Sequence, residues 1–144
     1  MATDRKATTQ WKGDLYSGSG TVTLESSNTG SFDVSWPSRA EQPDGRTSPE
    51  ELIAAAHSSC FSMALSGALA KDGTPPETLE TSAVVTFSLD GGPHISKVAL
   101  SVRGSVPGLD ADGFAKAAEG AKDGCPVSKA LAGNGEMTVD ATRA

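Results

Sequence analysis

Aromatic residues are scarce in this chain: four Phe, two Trp and one Tyr among 144 residues. Hydrophobic residues make up 37%, and many of them are alanine, so a bulky core completed by one chain alone is not expected. Lysine and arginine never form a run of three and the formal charge is −6, which argues against nucleic acid as a partner. There are only two histidines, His57 and His94, and no CxxC or HxxxH spacing, so neither a resident metal nor another cofactor is expected. Residues 1–8 are polar and lack the apolar centre of a secretory signal. No stretch is expected to span a bilayer, and the chain reads as cytoplasmic with no membrane partner. Cysteine is limited to Cys60 and Cys125. In a reducing compartment such a pair points to catalysis or metal binding rather than to a structural staple.

What is present reads as one α+β domain over residues 1–144. Residues 11–15 and 21–24 flank Ser17-Gly18-Ser19-Gly20 as a hairpin, and residues 32–36 alternate as a third strand before a polar loop over 37–47. Ser48-Pro49-Glu50-Glu51 opens a helix: Ser48 caps, Pro49 fits the first turn, and Glu51 stands at the capping-box position. That helix runs to Lys71 and stops at Gly73, ahead of Pro75-Pro76. It is apolar nearly all round, and such a helix must be covered on every side. Strands over 81–89 and 94–103 form an antiparallel hairpin around Asp90-Gly91-Gly92-Pro93. Asp110 caps a second helix to about residue 123, Cys125-Pro126 opens a short third helix over 127–131, and residues 136–142 add a last strand. The pairing is expected to be mainly antiparallel.

The two thiols differ in setting. Cys125 stands at a helix start, where unpaired N–H groups and the helix dipole lower a thiol's pKa. On residue physics alone it is the better thiolate, the plain alternative being a small cap that happens to be cysteine. Cys60 lies eleven residues into its helix, beyond the reach of the dipole, and burial there raises a thiol's pKa. It is either a small hydrophobe at a helix interface or a reactive thiol that needs a cation from elsewhere. Arg39 and Arg46 lie in the loop before that helix, near Glu50 and Glu51; a guanidinium held by a carboxylate can lower a thiol's pKa and polarise a peroxide oxygen. Arg46 reads as a solvated loop residue. His57, one turn before Cys60, is either one half of a Cys/His pair or a hydrogen-bonded packing histidine.

The run Ser48-Pro49-Glu50-Glu51-Leu52-Ile53-Ala54-Ala55-Ala56-His57-Ser58-Ser59-Cys60-Phe61-Ser62-Met63-Ala64-Leu65 resembles the first cysteine signature of the osmotically inducible protein C / organic hydroperoxide resistance (OsmC/Ohr) family. Val106-Pro107-Gly108-Leu109-Asp110 and Ala121-Lys122-Asp123-Gly124-Cys125-Pro126-Val127-Ser128 resemble its second. The Cys-Phe-Ser-Met-Ala-Leu segment and an arginine about twenty residues before the first cysteine resemble the OsmC branch. The resemblance implies antiparallel sheets packed around a long central helix, completed by an intertwined homodimer. It implies a dithiol-dependent peroxidase acting on organic hydroperoxides, and on hydrogen peroxide to a branch-dependent extent. By the same resemblance Cys60 is peroxidatic, Cys125 resolving, Arg39 the activating arginine and Glu50 its carboxylate partner, with Glu51 the alternative. This reverses the ranking of the thiols drawn from the residues alone. Ala54, Ala55, Ala56, Phe61, Met63 and Leu65 are assigned to packing. A rival reading is a redox-sensing or small-ligand-binding dimer without turnover, and another is a structural stress protein with inert thiols.

Overall fold

The computed structural model describes all of Met1–Ala144. Its elements are β1 (Ala7–Lys12), β2 (Ser19–Leu24), β3 (Ser31–Val34), α1 (Trp36–Ala40), α2 (Pro49–Lys71), β4 (Thr78–Ser88), β5 (His94–Ser105), α3 (Ala111–Gly124), α4 (Pro126–Leu131) and β6 (Glu136–Arg143). The fold is α+β, with two three-stranded sheets in the orders β1-β2-β3 and β4-β5-β6. The chain divides into two compact units, Met1–Leu52 and Ile53–Ala144.

In the first unit β1, β2 and β3 pair antiparallel. The β1–β2 turn starts earlier than the expected strand over 11–15 allows. Gly13 adopts φ +91°, and the Asp14 carboxylate accepts from the Ser17 N–H at 2.7 Å and its hydroxyl at 2.8 Å. This side-chain turn ends β1 at Lys12. The third strand also stops short, at Val34, and the expected loop contains a helix. Ser35 Oγ accepts from the Ser38 N–H at 3.2 Å while Ser38 Oγ accepts from the Ser35 N–H at 3.0 Å, a reciprocal cap with Pro37 in the first turn. The alternation read over 32–36 thus overran a Ser-x-x-Ser helix start. The resulting α1 carries Arg39.

Helix α2 has the expected bounds. Ser48 Oγ accepts from the Glu51 N–H at 3.1 Å, whereas the Glu51 carboxylate takes the Thr47 hydroxyl instead of closing the capping box. In the second unit every fourth residue of α2, His57, Phe61, Leu65 and Leu69, is buried, one stripe at the i, i+4 spacing. Phe61, Leu65 and Leu69 pack with Leu100 and Val102 of β5, Val106, and Phe114, Ala118 and Ala121 of α3 to form the core. Each large side chain so buried contributes about 1.5–3 kcal/mol. On β5 the alternation continues to Gly104, where a Cβ would come within 2.6 Å of Phe114 Cζ, so glycine lets the ring lie against the strand.

Part of α2 is left uncovered within the chain: Ala55, Ala56, Met63, Gly67 and Ala68 are exposed, Met63 at 74%. No charged residue stands between Glu51 and Lys71. By length and composition alone the helix is long and apolar enough to cross a membrane, a test that the core helix of a soluble protein also passes. Strand β4 pairs with β5 antiparallel, while β6 joins β5 in parallel from Lys97↔Glu136 to Gly104↔Arg143. A parallel neighbour needs a crossover of this length, here α3 and α4.

Candidate active site

Cys125 is at once the C-cap of α3 and the N-cap of α4, with φ −66° and ψ 126°. Its N–H donates to Ala121 O at 2.9 Å, closing α3, and its carbonyl accepts from the Lys129 N–H at 3.0 Å, opening α4. Gly124 and Pro126 thus set the thiol at a corner between two helices. The sulfur is fully buried and lies 2.8 Å from Cys60 Sγ, in hydrogen-bond contact. Both residues are free thiols. A disulfide bond of about 2.05 Å would need less than about 1 Å of closure.

The pair is electrostatically asymmetric. Burial, and then the hydrogen bond with Cys125, push the Cys60 thiol above its ordinary range. Burial acts on Cys125 in the same direction but is outweighed. Hydrogen bonds from Cys60, from the Ser128 N–H and hydroxyl, and from the Val127 N–H draw the Cys125 thiol below its ordinary range. Taken alone, the second unit therefore favours a thiolate on Cys125, as helix-start physics predicts.

His57 is fully buried, and its Nε2 hydrogen-bonds with Ser128 Oγ at 2.7 Å. Of the two readings drawn from sequence, the hydrogen-bonded packing histidine describes this contact. Burial holds the imidazole below its usual pKa and keeps it neutral. Ser128 escaped the sequence reading; its one signal is a hydroxyl in the first turn after Cys125-Pro126.

In the first unit, Arg39 grips Glu50 with both prongs: Nε donates to Oε1 at 3.0 Å and Nη2 to Oε2 at 3.0 Å. Glu50 is only 7% exposed. The two-pronged geometry fixes the guanidinium plane as a lysine could not. Glu51 bonds Thr47, so Glu50 is the carboxylate that holds this arginine. Arg46 is exposed. A pocket of about 330 Å³ in the same unit is lined by Trp11, Leu15, Val22, Trp36, Leu52 and Arg39 among others, an apolar hollow with one cation in its wall. No group of three or more His, Cys, Asp or Glu side chains converges as a metal site would require.

The α+β frame brings two free thiols into contact, the half-buried Cys60 in the middle of a long helix and the buried Cys125 at a helix corner, a geometry suited to a thiol pair. The family described as OsmC-like protein matches residues 42–140. Peroxiredoxin OsmC of Escherichia coli (strain K12) is 42% identical over 141 residues, 97% of this chain and 96% of that protein. Organic hydroperoxide resistance protein OhrA of Bacillus subtilis (strain 168) is 30% identical over 111 residues, 76% of this chain and 78% of that protein. The crystal structure of the organic hydroperoxide resistance protein OhrB of Bacillus subtilis superposes with a TM-score of 0.75 at 26% identity, covering 95% of this chain and 98% of that one. The chain belongs to the OsmC-like protein family, as its two cysteine motifs led us to expect.

Proposed function

We propose that this protein is a cysteine-based thiol peroxidase that reduces organic hydroperoxides, and hydrogen peroxide as a smaller substrate, in oxidative or osmotic stress defence. The observation that carries the reading is the 2.8 Å contact between two free thiols 65 residues apart in sequence. In the first step Cys60 thiolate attacks the distal peroxide oxygen. The O–O bond breaks, Cys60 becomes a sulfenic acid, and the alkoxide takes up a proton to leave as alcohol, or as water from hydrogen peroxide. In the second step Cys125 attacks the sulfenic sulfur. The S–S bond forms, the S–O bond breaks and water leaves. An external dithiol then exchanges with the disulfide and restores both thiols.

Cys60 needs a cation to act first, because burial opposes its ionisation. We assign that role to Arg39, aimed by Glu50. A guanidinium set against a thiol lowers its pKa and polarises a peroxide oxygen, while the carboxylate steadies the arginine rather than the thiol. The apolar pocket beside Arg39 suits the hydrocarbon part of an organic hydroperoxide. The uncovered apolar faces of α2 are those of a helix that meets a second copy, so the working form is a homodimer of a single domain over residues 1–144. A reducing compartment suits a cycle that returns both thiols to the free state, and we read the activity as cytoplasmic.

The test is turnover of cumene hydroperoxide with a dithiol donor. Wild type consumes peroxide continuously, Cys60→Ser does not, and Cys125→Ser accumulates the sulfenic acid. A wild-type protein that oxidises once and then stops would overturn the peroxidase reading in favour of a redox sensor.

A further inference from the structure

Glu50 can grip Arg39 only if α1 is held in register with the start of α2. A helix of five residues does not stand by itself, since its few internal bonds do not offset the cost of nucleation. The connection to α2 gives little support. Residues 40–46 are all exposed, and the bonds Glu41 N–H to Pro37 O at 2.9 Å and Arg46 N–H to Pro43 O at 3.0 Å are local. Trp36 meets Tyr16 edge-on with ring centroids 5.7 Å apart, which ties α1 to the β1–β2 turn and not to α2.

Ser38, the residue before Arg39, is the buried residue of α1, at 8% exposure. Its Oγ stands 2.9 Å from Thr47 O, 3.0 Å from Ser35 O, 3.0 Å from Ser35 N and 3.1 Å from Ser35 Oγ. A hydroxyl has one hydrogen to give and two lone pairs to receive with. The Ser35 carbonyl already receives the Arg39 N–H at 3.2 Å, the helical bond of α1. Given to Thr47 O, the Ser38 hydrogen leaves both lone pairs for the Ser35 N–H and hydroxyl, and the buried group is fully satisfied. Thr47 is itself fixed. Its N–H donates to Asp33 O at 2.9 Å, it bridges to Val34 in parallel, and the next residue, Ser48, caps α2.

We infer that Ser38 is a positioning residue for Arg39: its hydroxyl, donated to the Thr47 carbonyl, sets α1 against the start of α2 and so brings the guanidinium onto Glu50. Two bonds run side by side, Ser38 to Thr47 and Arg39 to Glu50, from consecutive residues of α1 to residues three apart at the entry to α2. Without the first, the second must align the helix through two long side chains, whose rotamer freedom works against a fixed aim. The first bond is short and reaches backbone, so it fixes the helix itself. Trp36 and Arg39 of α1 line the apolar pocket together with Leu52 of α2, so the same tether sets the wall of the pocket as well as its cation.

The role of Ser38 has a purpose only if Arg39 activates Cys60, so it rests on the peroxidase reading; whether Ser38 holds Arg39 is measured without that reading. In isotope-labelled protein, nuclear magnetic resonance follows the exchange of the Arg39 Nε–H with water, which its bond to Glu50 slows. Ser38→Ala should speed that exchange about tenfold, the loss of one hydrogen bond's worth of alignment. Ser38→Thr keeps the hydroxyl and should stay within about twofold of wild type. Thr47→Val removes the hydroxyl that bonds Glu51 but keeps the carbonyl that receives Ser38, and should also stay within about twofold. In Cys125→Ser protein, the rate at which an organic hydroperoxide oxidises Cys60 should follow the same ranking, about tenfold slower with Ser38→Ala. The inference is overturned if Ser38→Ala exchanges as slowly as wild type, or if Thr47→Val speeds exchange as much as Ser38→Ala does. Faster exchange in Ser38→Ala with no change in Cys60 oxidation would remove Arg39 from the peroxidase scheme and leave the tether standing.

Discussion

Met1–Leu52 buries one apolar side chain, Val22, and three polar ones, Ser35, Ser38 and Glu50; Ile53–Ala144 buries eleven hydrophobic residues, from Phe61 to Cys125, and two polar ones, His57 and Ser128. Strand β1 is exposed along its whole length, whereas Val98, Leu100, Val102 and Gly104 alternate inward along β5. The first unit is specified by directional bonds: the Ser35–Ser38 cap, the Asp14 turn and the two-pronged Arg39–Glu50 pair. The second is specified by packing, and its two buried polar side chains, His57 and Ser128, pair with each other. Directional bonds tolerate little change of geometry but carry modest net energy, about 0.5–1.5 kcal/mol each when neutral. Packing carries more energy and tolerates changes of shape that keep its volume. The Arg39 guanidinium, held by two bonds to Glu50, lies in the first kind of environment, and the fully buried Cys125 thiol in the second.

The largest effect should separate chemistry from stability within the packed unit. Cys60→Ser, a near-isosteric change, should abolish peroxide turnover while leaving the thermal midpoint within a few degrees, measured by steady-state assay and by calorimetry. Next, truncating the core at Phe114→Ala should cost about 3–5 kcal/mol in denaturant unfolding. Val22→Ala, in the thinner unit, should cost less; equal costs would erase the contrast between the units. Third, Arg39→Lys keeps the charge but loses the fork, and should lower kcat/KM by about 10- to 100-fold with little change in unfolding free energy.

A pH experiment sharpens the comparison further. The folded state holds His57 below its ordinary pKa of about 6.5, so in acid the unfolded chain binds a proton that the folded one refuses. Stability should therefore be complete above that value and decline as the pH falls below it, and His57→Gln should flatten that part of the curve. A decline equally steep in the variant would assign the effect to other groups. The smallest effect is expected at the surface of the first unit, where Lys6 and Glu25 pair at 3.1 Å with both side chains well exposed. Lys6→Ala should change stability by less than about 1 kcal/mol.

Much of this was legible in the chain because local chemistry decided it. Ser48-Pro49 and Gly73 set the ends of α2, Asp110 caps α3 by accepting from the Gly113 N–H at 2.7 Å, and Cys125-Pro126 marks the corner between α3 and α4. Where two local signals competed, the reading failed: the alternation through Phe32 and Val34 masked the Ser35 cap, so α1 was read as strand and loop. Nearness in sequence could not choose between Glu50 and Glu51, because neighbouring positions on a helix point about 100° apart and only the fold decides which faces Arg39. The parallel placement of β6 and the contact of His57 with Ser128 depend on the path of the chain across more than thirty and seventy residues, which no local pattern encodes. The thiol pair falls between these cases. Its members were conspicuous as residues, and the resemblance paired them, but their separation required coordinates.

The most direct measurement is the intact mass of the wild-type protein after one equivalent of organic hydroperoxide, set beside that of Cys125→Ser. Wild type should lose about 2 Da, the two hydrogens given up on forming the Cys60–Cys125 disulfide. Cys125→Ser should instead gain about 16 Da, the single oxygen of a Cys60 sulfenic acid. A wild-type mass that is unchanged, or that gains oxygen without losing hydrogen, would contradict the claim that these two sulfurs form one redox couple.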